Sequence, residues 1–375
     1  MDNSYTLIFL ICLVLGLISG IIMHRSDFCI AGMFRDLFLL KRTVMLRMLL
    51  LLVAVSMLLF ELLRQYGTAL YPFPPTGSPS LATIIGGLFF GIGMVLAGGC
   101  VVGTLYKMGS GSFLSFISFV GIISGSLLYA EIHPWWAAFV KRTTIFKGSV
   151  TIPQIIGIDP GVPVFVMMAF ASYLFFRWYK EGKWERPSHV SGYIQPWKTA
   201  VFLAFIGLVS YIAVGKPMGV TTGYTKLGAY VENFLFKSHL DGTALFKAMS
   251  LNYVHPLTNI RMQGGAGPSF DVISAIELPL IIGIILGSAF SSCLLKEFRL
   301  YFNVPYKQYI SAFAGGFLMG IAARLSQGCN VAHLLGGLPI LTGQSIFFLA
   351  GLFPGAWLGS RIFVNVVMKK GGQRS

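Results

Sequence analysis

The chain is poor in charge. Asp, Glu, Lys and Arg make up only 11% of its 375 residues, and just 13 of them are acidic, whereas soluble domains carry about a quarter charged residues. With 55% hydrophobic residues and a mean hydropathy of +0.75, this excludes a soluble globular protein. Cysteine is scarce too: five residues, no CxxC pair and no dense Cys/His tract, which excludes a disulfide scaffold and a zinc ribbon. There is no Walker-type phosphate loop, so ATP is not a direct energy source. No paired acid and base and no cofactor motif stand out either. Neither an enzyme, a cofactor nor a metal site is therefore expected.

What the sequence does have is apolar length. Stretches at about 5–23, 44–63, 81–97, 113–130, 161–179, 198–214, 272–295, 308–324 and 342–367 approach the roughly 20 residues a membrane-spanning helix needs. They predict an all-α polytopic membrane protein of about nine spans. The first is read as a retained span, because Asp2 precedes it and no basic leader region does. The net charge of +15 lies mostly in loops, where Lys and Arg set orientation, so no nucleic-acid partner is expected. With loops assigned alternately, 15 Lys and Arg fall on the side of 25–42, 107, 180–198, 296–307 and 369–374, and 10 on the other, five of these in the long 215–271 loop. The expectation is a cytoplasmic C-terminus and an outside N-terminus.

Four Gly-rich stretches lie between the spans and are too short to cross: 26–40, 98–111, 217–232 and 327–341. Irregular backbone at membrane depth survives only where protein or a cavity surrounds it, so these are predicted to be re-entrant half-helices. The sequence also repeats. Gly86-Gly87, Gly91 and Gly99-Cys100 recur as Gly315-Gly316, Gly320 and Gly328-Cys329 at an offset of 229, and Gly16-Leu17-Ile18-Ser19 recurs as Gly207-Leu208-Val209-Ser210 at an offset of 191. The difference places an insertion in the second copy, within about 231–271. Residues 1–131 form repeat 1, 132–197 a connector that includes the fifth span, and 198–375 repeat 2. A single connecting span inverts the second copy, the architecture of channels and secondary transporters with a substrate path between the copies.

Three of the five cysteines fall in the breaks: Cys29 in Ser26-Asp27-Phe28-Cys29, Cys100 after Gly98-Gly99, and Cys329 after Gly328. Each is expected in the first turn of a half-helix, with Gly99, Gly328 and Asn330 beside it as candidate substrate-binding residues. A helix N-terminus offers unpaired N–H groups and partial positive charge to an anion. A neutral thiol adds a weak S–H donor and a polarizable surface, which suits a soft, sulfur-bearing anion. Cys12 and Cys293 lie within ordinary spans and are read as packing residues.

These cysteine contexts and the two-copy layout resemble the YeeE/YedE family of sulfur-compound permeases over nearly the whole chain. The resemblance implies an hourglass-like inner-membrane transporter of nine spans. It implies thiosulfate, or a closely related sulfur anion, passed along Cys29, Cys100 and Cys329 by S–H hydrogen bonds, with a small TusA-like sulfur carrier as a cytoplasmic partner. Two rivals remain: transport of a selenium-containing compound, and a membrane thiol–disulfide or sulfur-transfer enzyme. The repeat partner of Cys29 is Val220, so the path is expected to be asymmetric. Lys107 and Arg324 are candidate anion attractors, and His333, four residues after Cys329, is read as structural.

Overall fold

The computed structural model describes residues 3–368 except 68–69, 74–75, 187, 189, 191, 241 and 256; the basic tail counted above, 369–374, lies outside the described residues. The elements in order are α1 (Asn3–Ser26), α2 (Ile30–Leu40), α3 (Val44–Gln65), α4 (Leu81–Leu96), α5 (Val101–Gly109), α6 (Phe113–Thr143), α7 (Ile152–Ile156), α8 (Gly161–Lys180), α9 (Pro196–Val214), α10 (Thr221–Leu235), α11 (Lys237–Leu240), α12 (Ala244–Lys247), β1 (Leu251–Val254), β2 (Arg261–Gly264), α13 (Val272–Leu294), α14 (Tyr306–Leu325), a π-helix at Ala332–Gly337, α15 (Gly343–Ile362) and a closing π-helix at Phe363–Met368. Among the described residues, eight helical segments are long and apolar enough to cross a membrane. The ninth expected span is the 20-residue α14, which is too polar to join those eight.

Helix starts follow local chemistry. Ser80, Ser112, Asp271 and Thr342 each accept a backbone N–H of the following first turn through the side chain, satisfying donors that have no partner within the helix. Small residues then bring helix axes together, as lipid gives helices no hydrophobic reason to associate and close contact must do so. On the α4–α15 seam, a Cβ at Gly91 would sit 2.6 Å from the backbone N of Ala356 and 2.6 Å from the carbonyl of Leu352. Only glycine fits there.

The main pairings are α1 with α13, α3 with α9, α4 with α15, α6 with α14, and α4 with α14. Helix α8 is the outlier: it leans on α3 and buries only Val164 along its length. The expected insertion region holds something the sequence reading did not foresee, the two short helices α11 and α12 and an antiparallel hairpin pairing Leu251 with Gly264 through Val254 with Arg261. Its inner face, Leu251, Tyr253 and Met262, packs on α1 and α13.

The hairpin side is tied to α10 by one cation. Lys226 is fully buried; its Nζ lies 3.0 Å from Asp271 Oδ2 and donates to the carbonyls of Gly267 at 2.8 Å and Ser269 at 2.7 Å. Asp271 is in turn the N-cap of α13. This group fixes the half-helix α10 relative to the long helix α13.

Candidate functional site

Helices α1, α4 and α14 stop in the same way. Asp27, Gly98 and Gln327 take left-handed backbone, with φ of 49°, 69° and 59°, and each stands two residues ahead of a cysteine. The sequence reading assigned the breaks before Cys100 and Cys329 to Gly98-Gly99 and Gly328. That holds at Gly98, but before Cys329 it is Gln327 and not Gly328 that takes the left-handed turn, as Asp27 does before Cys29. Each cysteine then caps a new helix: the carbonyls of Cys29, Cys100 and Cys329 accept from the backbone N of Met33, Thr104 and His333 at 3.0, 2.7 and 2.9 Å. The cysteines are thus N-caps and not first-turn residues, because extended backbone at Cys29 and Cys100 holds them just outside the helix. The fourth break differs. α9 ends at left-handed Gly215, and Val220 caps α10 after a longer loop.

The three capping cysteines are buried in one apolar cluster. The Cys29 and Cys100 thiols are neighbours that meet over Gly103, whose N–H donates to Cys100 Sγ at 3.2 Å. A Cβ at Gly103 would lie 2.7 Å from Cys29 Sγ, so glycine is what lets the two sulfurs approach. Tyr224, fully buried on α10, neighbours both Cys100 and Cys329 and donates its hydroxyl to the carbonyl of Val101 at 2.8 Å. Asn330 stands beside Cys100. Its side chain is fully buried, yet neither its Oδ1 nor its Nδ2 has a partner among the described residues. A buried amide left unpaired costs about 1–3 kcal/mol, which a passing polar ligand would recover. Gly99 packs against Thr104, and Gly328 faces His333 Nε2. Cys12 belongs to a separate cluster with the hairpin, and Cys293 is exposed on α13.

Cavities lie on both sides of the cysteines. On the side of the 66–80 and 215–271 loops, a polar cavity of about 100 Å³ is lined by Lys216, Glu277, Gln327, Gly328, His333 and Gln344 among others. On the side of the 180–198 and 295–307 loops, one of about 340 Å³ is lined by His24, Arg25, Asp27, Arg186, Tyr193 and Glu297. Between them is a pocket of about 30 Å³ bounded by Phe28, Cys100, Met218, Val220, Ile284 and Leu335. That is room for about one water.

The charged candidates take specific places. Lys107 donates to the carbonyl of Gly98 at 2.7 Å, closing the end of α4 and leaving it little freedom as an anion attractor. Arg324 donates to Thr222 Oγ1 at 3.0 Å, while its Nε has no partner among the described residues. His333 bonds Ser345 Oγ and the Ser326 carbonyl through its two ring nitrogens and stacks on Phe348, a structural setting. Asp27 accepts from Tyr106 at 3.0 Å and faces Arg186 at 3.9 Å. The sequence reading missed Lys216 and Glu277, a buried pair 3.1 Å apart. A signal was available, since Glu277 is an acid within the 272–295 apolar stretch, and an ionisable residue inside a span marks a functional candidate.

The profile of the family described as "Sulphur transport" matches residues 25–358 of this chain. The chain belongs to that family. It is similar to a protein named thiosulfate transporter TsuA from Spirochaeta thermophila, 29% identical over 371 residues, covering 92% of this chain and 97% of that one. It is also similar to the Escherichia coli protein of the same name, 25% identical over 360 residues, covering 92% and 93%. A probable transporter, YedE of E. coli, is 28% identical over 164 residues, covering 44% of this chain and 39% of its own. All three cysteine breaks of this chain fall inside the part that the family profile matches.

Proposed function

We propose that this protein is an inner-membrane permease for thiosulfate or a closely related sulfur anion, and that the anion passes along Cys29, Cys100 and Cys329 by S–H hydrogen bonds. The observation that carries the reading is the convergence of three cysteine-capped half-helices on one buried stretch between two polar cavities. Anions are favoured at helix N-termini, and the unpaired Asn330 amide supplies further donors there. The names of the two similar TsuA proteins support the substrate class, and the family and its relatives favour transport over enzyme chemistry. The asymmetric charge of the loops supports an orientation with the Lys216 cavity outside, the Arg25 cavity inside and the N-terminus outside. On that reading the inner cavity is where a TusA-like carrier would receive the product.

The repeat boundaries at 1–131, 132–197 and 198–375 belong to the same proposal. Their support is that helix pairings interchange between copies: α1 meets α13 as α9 meets α3, and α4 meets α15 as α14 meets α6. Position Cys29 in copy one matches capping Val220 in copy two.

One observation favours a second reading. The Cys29–Cys100 contact brings together two thiols, as a thiol–disulfide or sulfur-transfer enzyme requires. Vesicles holding the purified protein separate the readings. Radiolabelled thiosulfate is expected to accumulate inside them, with neither a Cys29–Cys100 disulfide nor a persulfide forming during uptake. Trapping either species without accumulation would favour the enzyme, and competition by a selenium analogue at lower concentration than thiosulfate would favour the selenium substrate.

A further inference from the structure

The fourth half-helix lacks a cysteine cap, and its end is already occupied by an anion of the protein's own. Glu277, on α13 and 2% exposed, reaches across to α10: its Oε2 accepts the backbone N–H of Gly223 at 2.7 Å. Its Oε1 accepts from Lys216 Nζ at 3.1 Å. Gly219, in the loop between them, has no side chain to intrude; a Cβ there would be 3.6 Å from Glu277 Oε1 and 3.9 Å from Lys216 Nζ. Both side chains line the polar cavity next to Gly328 and His333. A carboxylate thus fills the cationic frame, a helix N-terminus plus an ammonium, that an arriving anion would need.

We propose that Glu277 makes anion capture in this cavity proton-linked: a proton taken up by the Glu277 carboxylate releases Lys216 and the N-terminus of α10 to the anion. The inference rests on the permease reading above. The step is an acid–base one. A proton delivered by hydronium or buffer acid from the bulk solvent adds to a Glu277 oxygen, the carboxylate becomes a neutral carboxyl, the donor leaves as water or buffer base, and the hydrogen bonds from Lys216 Nζ and the Gly223 N–H pass to the anion. A like charge held in the same small cavity as a dianion would repel it, so the anion-bound state favours the protonated acid. The other groups facing Glu277 are Arg324 on α14, Cys329 on the adjoining half-helix and Cys12 on α1. His333 lines the same cavity, but both its ring nitrogens are engaged. Of these groups, Glu277 is the carboxylic acid, the one that gives up a negative charge when it takes a proton. A negative-inside potential opposes each charge of a dianion, and each proton carried with it removes one of those charges.

Calorimetry of sodium thiosulfate binding to the purified full-length protein, in buffers of different ionisation enthalpy, tests this. The expected result is uptake of close to one proton per anion bound, and an affinity that rises about tenfold per unit fall in pH while Glu277 is ionised in the free protein. In Glu277→Gln the amide oxygen can still accept from Gly223, so the variant is expected to bind without proton uptake and with a flat pH profile. Binding by the wild type without proton uptake overturns this inference and leaves the permease reading intact. A Glu277→Gln variant that keeps the wild-type proton uptake also overturns it. If the wild type fails to bind thiosulfate at all, the permease reading falls and this inference with it. The wild-type measurement decides the matter even if Glu277→Gln does not fold.

Discussion

Cys100→Ala is expected to lower the initial rate of thiosulfate uptake by about 10- to 100-fold, with no loss of folded protein. The rate follows from the thiol's place. Cys100 contacts Cys29 on one side, stands beside Asn330 on another and borders the small pocket separating the two cavities. A hydrogen bond to a charged group contributes about 1.5–3 kcal/mol, and each 1.4 kcal/mol is about tenfold in rate. At this pinch point bulk water has little room to replace the missing donor. Folding should tolerate the change: the sulfur's capping bond from the Gly103 N–H is lost, at a cost of about 0.5–2 kcal/mol, but the main-chain carbonyl of residue 100 still accepts from Thr104. Cys100→Ser keeps a donor on a smaller, more strongly hydrated atom and is expected to retain part of the activity. Initial rates in vesicles, normalised to monodisperse protein, check both substitutions.

The second large effect concerns stability. Lys226→Met is expected to destabilise the protein by about 3–5 kcal/mol, the cost of removing one partner from a buried ion pair. The substitution would leave the carbonyls of Gly267 and Ser269 without their donor and Asp271 without its cation. Asp271 would keep its bonds from the N–H groups of Gly265 and Ser274, so α13 should still begin at Val272. The loss is expected to appear as a lower melting temperature in detergent and as earlier proteolysis in 241–271. A melting temperature equal to that of the wild type would contradict the role given to Lys226.

Much of the fold could be read from the chain because the spans are long and the breaks are marked. Gly98-Gly99 and Gly328 announced two of the half-helices, and the apolar run restarting after each cysteine located the caps to within one residue. What was illegible has particular causes. Asp27 and Gln327 take left-handed backbone that their residue types permit but do not require. Lys216 and Glu277 lie 61 residues apart, and their pairing is set by how α10 docks on α13, which no local pattern encodes. The strands β1 and β2 are four residues each, too short for alternation to be told from chance. The contact between Cys29 and Cys100 depends on Gly103, a glycine in an ordinary helical pattern that becomes informative only beside the two sulfurs.

The central claim is that sulfur at the half-helix tips, and not cysteine elsewhere, carries the anion. Two variants test it in the same vesicles with radiolabelled thiosulfate. One keeps Cys29, Cys100 and Cys329 and replaces Cys12 and Cys293 by alanine; the other keeps Cys12 and Cys293 and replaces the three capping cysteines. The first is expected to transport at the wild-type rate and the second to transport nothing above empty vesicles. Uptake by the second variant at a rate comparable to the first would contradict the account.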